Sequence, residues 1–237
     1  MNLFDFIMKV CPSRISNEGF IKHLAKQGVT CGKHTKFFDI TKTHLDVSRP
    51  WLLEIGDYCK IAPNVTILTH DYSRSVLRRV YGDIVAEAGK TDIGDNVFIG
   101  MNSIILMGTK IGDNVIIGAG SVVSGVIPSN CVAAGNPAKV IRTLDEHYKI
   151  RKEKYISEAK ENALAFKKKY GRFPTIKEME SFFPLYLERD RSALKANDIF
   201  TNLSGDDEED IIEKWLSSAP QFESYEKFLE FCKEKDL

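Results

Sequence analysis

Between residues 93 and 128 an aliphatic side chain returns at every sixth position: Ile93, Ile99, Ile105, Ile111, Ile117 and Val123. A helix repeats its apolar face every 3.6 residues and a strand every two, so neither accounts for a period of six. A chain that turns after each short strand does, because each side of every coil then contributes one inward side chain to a continuous ladder. Read in sixes from Ile93, the segment is IGDNVF, IGMNSI, ILMGTK, IGDNVI, IGAGSV, VSGVIP, and the same phase begins earlier as IGDYCK, IAPNVT and ILTH at Ile55, Ile61 and Ile67. Gly56, Gly94, Gly100, Gly112 and Gly118 each follow a ladder residue directly. With Asp95, Asn96, Asp113 and Asn114 they are expected at the corners, where Gly, Asn and Asp tolerate positive φ.

The repeat stops after His70 for "DYSRSVLRRVYGDIVAEAGK", residues 71–90, a polar and charged excursion, and then resumes. Residues 28–54 are apolar but depart from strict sixes, and are expected to be irregular early coils. Residues 1–27 are expected to form a partly helical cap over the open end of the stack, which otherwise leaves backbone groups unpaired. After Arg142 the sixes vanish. A charged helix is expected over 144–170 with Gly171 as its stop, and Thr175 with Glu178 forms a capping box that starts another. A third helix is expected through "DDEEDIIEKWLSS" and a fourth through "YEKFLEFCKEK". The domain plan is thus a cap at 1–27, a coil domain at 28–142 with the inserted loop 71–90, and a helical extension at 143–237.

Charge narrows the function classes. Lys and Arg total 33, as do Asp and Glu; a net charge of zero gives no support to a nucleic-acid partner. The helical extension, with 21 acidic and 17 basic residues, is no better suited to one. Five cysteines without regular spacing do not form the framework of a small secreted domain and fit a reducing compartment. The start "MNLFDFIMKVCPSR" carries Asp5 inside its apolar run and lacks a basic leader, and no run of eighteen apolar residues offers a transmembrane segment. The expected location is the cytoplasm.

Among five histidines, His23 and His147 fall in helical or capping regions, and His34 and His44 in the early coils. "HLD" at 44–46 has no matching Cys/His/Glu set for a metal. His70 stands apart, because it ends the last regular rung before the excursion. A neutral imidazole held on stiff backbone beside a loop can accept a proton from a hydroxyl or amine near neutrality. Asp71 is a candidate to orient its ring. Arg74, Arg78 and Arg79 either contact an anionic ligand or keep the loop soluble. Cys31, Cys59 and Cys131 lie in no Cys/His dyad motif, and Ser73 and Ser75 lack a nucleophile elbow. The chemistry left is direct transfer, with His70 activating the acceptor and no covalent enzyme intermediate.

The sixes, "ILTHDYS" at 67–73 and "AAGNPAKVIR" at 133–142 together resemble the hexapeptide-repeat acyltransferases, in particular the branch of galactoside, maltose and streptogramin acetyltransferases and capsule O-acetyltransferases. The resemblance covers about residues 28–142. It implies an all-β left-handed parallel β-helix, here with a helical C-terminal extension, assembled as a homotrimer that binds acetyl-CoA along the coils. It further implies that His70 is the catalytic base, that a backbone N–H stabilises the oxyanion, and that the excursion covers the acceptor, with Asp71, Tyr72, Arg74 and Arg78 as contacts. Gly118, Ala119, Ala133 and Ala134 then form a flat wall for the pantetheine arm, and Lys139 and Arg142 meet the nucleotide phosphates. The implied activity is acetyl-CoA-dependent O-acetylation of a sugar or polysaccharide precursor, without a metal. N-acetylation of an amino-sugar remains open, as does a non-catalytic or metal-dependent β-helix. Met101 and Asn102 in "IGMNS", where many relatives have glycine before the serine, and the long helical tail depart from the family pattern.

Overall fold

A computed structural model describes residues 16–199 and 208–234; the part of the expected cap that falls on 1–15 lies outside them. The first coil supplies β1 (Thr30–Cys31), β2 (Lys36–Phe37) and β3 (His44–Leu45), and the second β4 (Leu53–Ile55), β5 (Lys60–Ile61) and β6 (Thr66–Ile67). After the excursion come β7 (Thr91–Ile93), β8 (Phe98–Ile99) and β9 (Ile104–Ile105), then β10 (Lys110–Ile111), β11 (Val115–Ile117) and β12 (Val122–Val123), and finally β13 (Val126–Ile127) and β14 (Cys131–Gly135). Successive strands pass in rotation to three sheets, ordered β1-β4-β7-β10-β13, β2-β5-β8-β11-β14 and β3-β6-β9-β12, with every one of these neighbours parallel. The chain therefore winds as a three-sided stack, as the period of six requires. Three parallel sheets of this kind fit the expected β-helix.

Register shows how the repeat survives its interruption. Ile93 pairs with Ile111, Ile99 with Ile117 and Ile105 with Val123, a constant offset of 18 residues, or three sixes. Across the excursion Ile55 pairs with Ile93 and Ile67 with Ile105, an offset of 38, so the 20 extra residues leave the rungs in phase. The early coils are looser, with offsets of 24 for Cys31 to Ile55 and 22 for Leu45 to Ile67. The ladder residues Ile61, Ile67, Ile99, Ile105, Ile117 and Val123 are all fully buried. Each such side chain contributes roughly 1.5–3 kcal/mol by leaving water.

The corners divide their labour differently from the expectation. Of the residues expected at the corners, Asn96 and Asn114 take positive φ, as do Asn64, Asn102 and Asn130, all between 54° and 62°; Tyr58, Gly108, Gly120 and Gly125 share the left-handed region. The glycine after each ladder residue is needed for close approach instead: a Cβ on Gly94 would lie 2.3 Å from Asp113 Oδ1. That carboxylate sits there to accept the Asp95 N–H at 2.8 Å, and Asp95 does the same for Asp57 N–H one coil earlier.

Both ends of the β2-to-β14 sheet are covered. At the open end helix α1 (Asn17–Gln27) is capped by Ser16, whose hydroxyl accepts Gly19 N–H at 3.1 Å, and stops at Gly28 with φ 102°. Its Asn17 side chain accepts the Phe37 N–H at 2.7 Å and donates to the Thr35 carbonyl at 3.0 Å, satisfying the edge of β2. At the other end β15 (Ala138–Thr143) folds back antiparallel on β14. The excursion is not wholly irregular: it contains α2 (Arg74–Tyr81), ended by Gly82 in the left-handed region.

The chain forms two compact units, one running to His147 and the other from Tyr148. Helix α3 (Leu144–Tyr170) begins in the first, where Thr143 and Glu146 form a reciprocal cap, and ends at Gly171, φ 73°. In the second unit Ala159, Ala163, Met179, Leu185, Tyr186 and Phe228 make one core, and Leu187, Leu194, Ile212 and Trp215 another. The Thr175–Glu178 capping box is present, with Thr175 N–H donating to Glu178 at 2.8 Å. The element it opens is a 3-10 segment over Lys177–Leu185 rather than the expected α-helix, because Glu180 sits at φ 45° and Pro184 supplies no N–H. Then come α4 (Arg191–Ala196), not expected from the sequence, α5 (Glu208–Leu216) and α6 (Tyr225–Lys233).

Candidate active site

β3 and β6 are neighbours, with Leu45 opposite Ile67. The residues that follow them therefore leave the sheet side by side, and this places Asp46 against Thr69 and His70. Asp46 Oδ2 lies 2.5 Å from His70 Nδ1. The same oxygen accepts the Thr69 N–H at 3.0 Å, the Thr69 hydroxyl at 2.6 Å and the His70 N–H at 3.1 Å, while Oδ1 takes the Ser48 hydroxyl at 2.7 Å. Ser48 Oγ also lies 3.2 Å from His70 Nδ1. The Asp46 side chain is 9% exposed and that of His70 27%. Burial is the largest single influence on Asp46 and opposes its charge, yet the hydrogen bonds from Thr69, Ser48 and His70 together outweigh it and hold the carboxyl well below its usual range.

A carboxylate ionised near neutrality at Nδ1 fixes the tautomer: Nδ1 carries the proton and donates it to Asp46, and Nε2 keeps its lone pair. Among the described residues nothing hydrogen-bonds to Nε2. The arrangement is an imidazole with an orienting carboxylate, the chemistry that can take a proton from a hydroxyl or amine. Asp46, not Asp71, orients the ring. Asp71 accepts the Ser73 N–H at 2.8 Å, and its carboxyl is lowered first by that bond, then by its neighbours Glu87 and Ser73, and last, after the opposing effect of burial, by the charge of His70.

The other expected residues fall in three places. Tyr72, Arg74 and Arg78 belong to the excursion, with the Arg74 guanidinium over the Tyr72 ring at 4.7 Å and Arg78 exposed in the last turn of α2. Gly118, Ala119 and Ala134 lie on the outside of adjacent coils, where a Cβ on Gly118 would meet Ala134 Cβ at 2.8 Å. Ala133 does not join that wall: it is fully buried in the main core, opposite Ile117, since alternate residues of β14 point to opposite faces. Lys139 and Arg142 lie on β15, opposite Ala134 and Val132 respectively. His34 takes no part in the Asp46–His70 pair and stacks on Tyr58 instead, with ring centroids 4.6 Å apart.

A stack of parallel coils built from sixes, with a carboxylate-bound histidine at the neck of its excursion, defines a class, and comparison with known proteins gives it a family. A family model described as the hexapeptide repeat of succinyl-transferase matches residues 90–124. Protein CapG of Staphylococcus aureus is 41% identical over 124 residues, 52% of this chain and 71% of that protein. The galactoside O-acetyltransferase of Escherichia coli is 40% identical over 108 residues, 44% of this chain and only 52% of that enzyme. Among solved structures, a maltose O-acetyltransferase from Clostridium difficile 630 is 28% identical with a TM-score of 0.40, covering 59% of this chain and 84% of its own. The chain belongs to the hexapeptide-repeat acetyltransferases.

Proposed function

We propose that the protein transfers the acetyl group of acetyl-CoA to a hydroxyl of a sugar or saccharide precursor in the cytoplasm, with His70 as general base. The observation that carries this reading is the 2.5 Å contact of His70 Nδ1 with Asp46 Oδ2, an oxygen held by three further donors while Oδ1 takes the Ser48 hydroxyl. His70 Nε2 takes the hydroxyl proton as the oxygen attacks the thioester carbonyl. A C–O bond forms, the C–S bond breaks on collapse of the tetrahedral intermediate, and the proton on His70 returns to the departing thiolate. No acyl-enzyme is needed. The name of the Escherichia coli relative, a galactoside O-acetyltransferase, supports a sugar hydroxyl as acceptor.

In this reading the stack is a left-handed β-helix at 28–142, capped by 1–27 and extended by 143–237, and it works as a homotrimer. Exposed apolar side chains outside the stack, among them Val126, Val140 and Ile141, support assembly of copies. The small residues Gly118, Ala119 and Ala134 suit the pantetheine arm and the cations Lys139 and Arg142 the phosphates, while Asp71, Tyr72, Arg74 and Arg78 face the acceptor. A screen of sugars, nucleotide-sugars and amino-sugars with labelled acetyl-CoA tests the proposal. Alkali-labile ester product on a neutral sugar supports it, and an amide product formed only on amino-sugars overturns the acceptor assignment.

A further inference from the structure

The outgoing and returning arms of the excursion are cross-linked at three levels. Thr91 Oγ1 donates to the Leu68 carbonyl at 2.6 Å, Gly89 N–H to the Thr69 carbonyl at 3.0 Å, and Ser73 Oγ to Glu87 Oε1 at 2.5 Å. His70 lies on the outgoing arm between the second and third. The inner two are built into the stack: Thr91 is fully buried, and Gly89 packs so closely on the next coil that a Cβ would lie 2.7 Å from Gly108 N. The third is a side-chain contact alone. Beyond it the head of the excursion has little to hold it, and Val76, Val80, Tyr81, Ile84 and Val85 are between 51% and 77% exposed.

Glu87 is half-buried in a stretch whose preceding residues 76–86 are exposed. Three arginines occupy the same head, yet among the described residues none pairs with Glu87, and Arg74 lies over Tyr72 instead. The Glu87 side chain is directed to Ser73 and to the neighbouring Asp71, which itself accepts the Ser73 N–H at 2.8 Å. An O–H···O bond of this length lies at the short end of the range for side chains.

We propose that Glu87 is a positioning residue for acceptor recognition: its hydrogen bond with Ser73 latches the head of the excursion to the arm that carries His70. This rests on reading His70 as the base and the excursion as the acceptor wall. The latch sets acceptor affinity without entering the transfer step, so breaking it loosens the head and spares the donor.

The test compares full-length S73A, E87A, the double variant and E87Q, whose amide oxygen still accepts the Ser73 hydroxyl. Acceptor KM, acetyl-CoA KM and kcat are measured, with amide hydrogen exchange over residues 74–86 as an activity-independent readout. The latch requires S73A, E87A and the double variant to raise acceptor KM equally, by about ten-fold, consistent with loss of one hydrogen bond. Acetyl-CoA KM and kcat stay within about two-fold, exchange over the head accelerates in all three, and E87Q restores both. If E87A weakens the acceptor while S73A does not, Glu87 acts on the acceptor directly and the latch is refuted. Unchanged exchange in all variants refutes it too. A wild-type protein that acetylates no acceptor sinks the functional reading and the acceptor role with it, whereas accelerated exchange in the same variants still separates that failure from failure of the latch.

Discussion

His70 depends on a residue 24 positions earlier for its tautomer and its orientation. Removing the imidazole with H70A takes away the proposed proton acceptor and leaves the stack intact; kcat is expected to fall by about 10²–10⁴-fold, with little change in melting temperature, as measured by steady-state kinetics and calorimetry. D46N keeps the shape but loses the charge and can present its amide NH₂ to Nδ1, which favours the wrong tautomer. A loss on the order of 10²-fold or more is expected in kcat. Stability carries a second signature. The Asp46 carboxyl is depressed on folding, so its stabilisation is complete above the ordinary aspartate value of about 3.9 and disappears as pH falls through the lower folded value. The gap in melting temperature between wild type and D46N is therefore expected to be widest near neutrality and to close below about pH 4. An equal gap at all pH values would remove the carboxylate from the account.

At the scale of elements, legibility followed periodicity. The rungs from Ile93 to Val123 could be placed by counting, because an inward aliphatic every six residues leaves one register. His70 could be singled out because it ends such a rung. Asp46 could not be joined to it, since that contact depends on pairing Leu45 with Ile67 across a coil of 22 residues in which counting by sixes fails. The motif "HLD" already held the carboxylate, but nothing local tells an orienting partner from a metal ligand. Ser73 and Glu87 were illegible for a similar reason, being 14 residues apart in a stretch without a period. The glycines after the ladder residues misled because positive φ and lack of a Cβ are separate properties, and there Asn96 and Asn114 use the first while Gly94 and Gly112 use the second. The edge of β2 offers a test at this scale. N17A leaves the Phe37 N–H and the Thr35 carbonyl without their side-chain partner, a cost of about 1–3 kcal/mol for groups kept from water. A lower urea midpoint for N17A, partly recovered in N17D, which retains the acceptor, is the expected result.

At the scale of the whole molecule the buried apolar residues fall into separate cores. Those of the coil unit, from Leu24 to Ala138, form one cluster, and Ala159 to Cys232 form others. The stack holds each coil through its neighbours above and below, whereas the second unit is centred on aromatic packing around Phe228, which meets Tyr186 at 5.1 Å, Phe222 at 5.4 Å and Tyr225 at 6.0 Å. A fully buried ring of this size is expected to cost about 3–5 kcal/mol when cut back to alanine. Because the lesion lies in a core that contains only residues after Tyr148, F228A is expected to speed amide exchange in α3 beyond residue 155 and in α6, while the slow amides of β8, β9 and β11 keep their protection. Exchange measured by mass spectrometry on the full chain resolves the two regions. Uniform loss of protection through the coils would instead mean that the two units unfold as one, and the helical extension would then be part of the stability of the catalytic stack rather than a body with a core of its own.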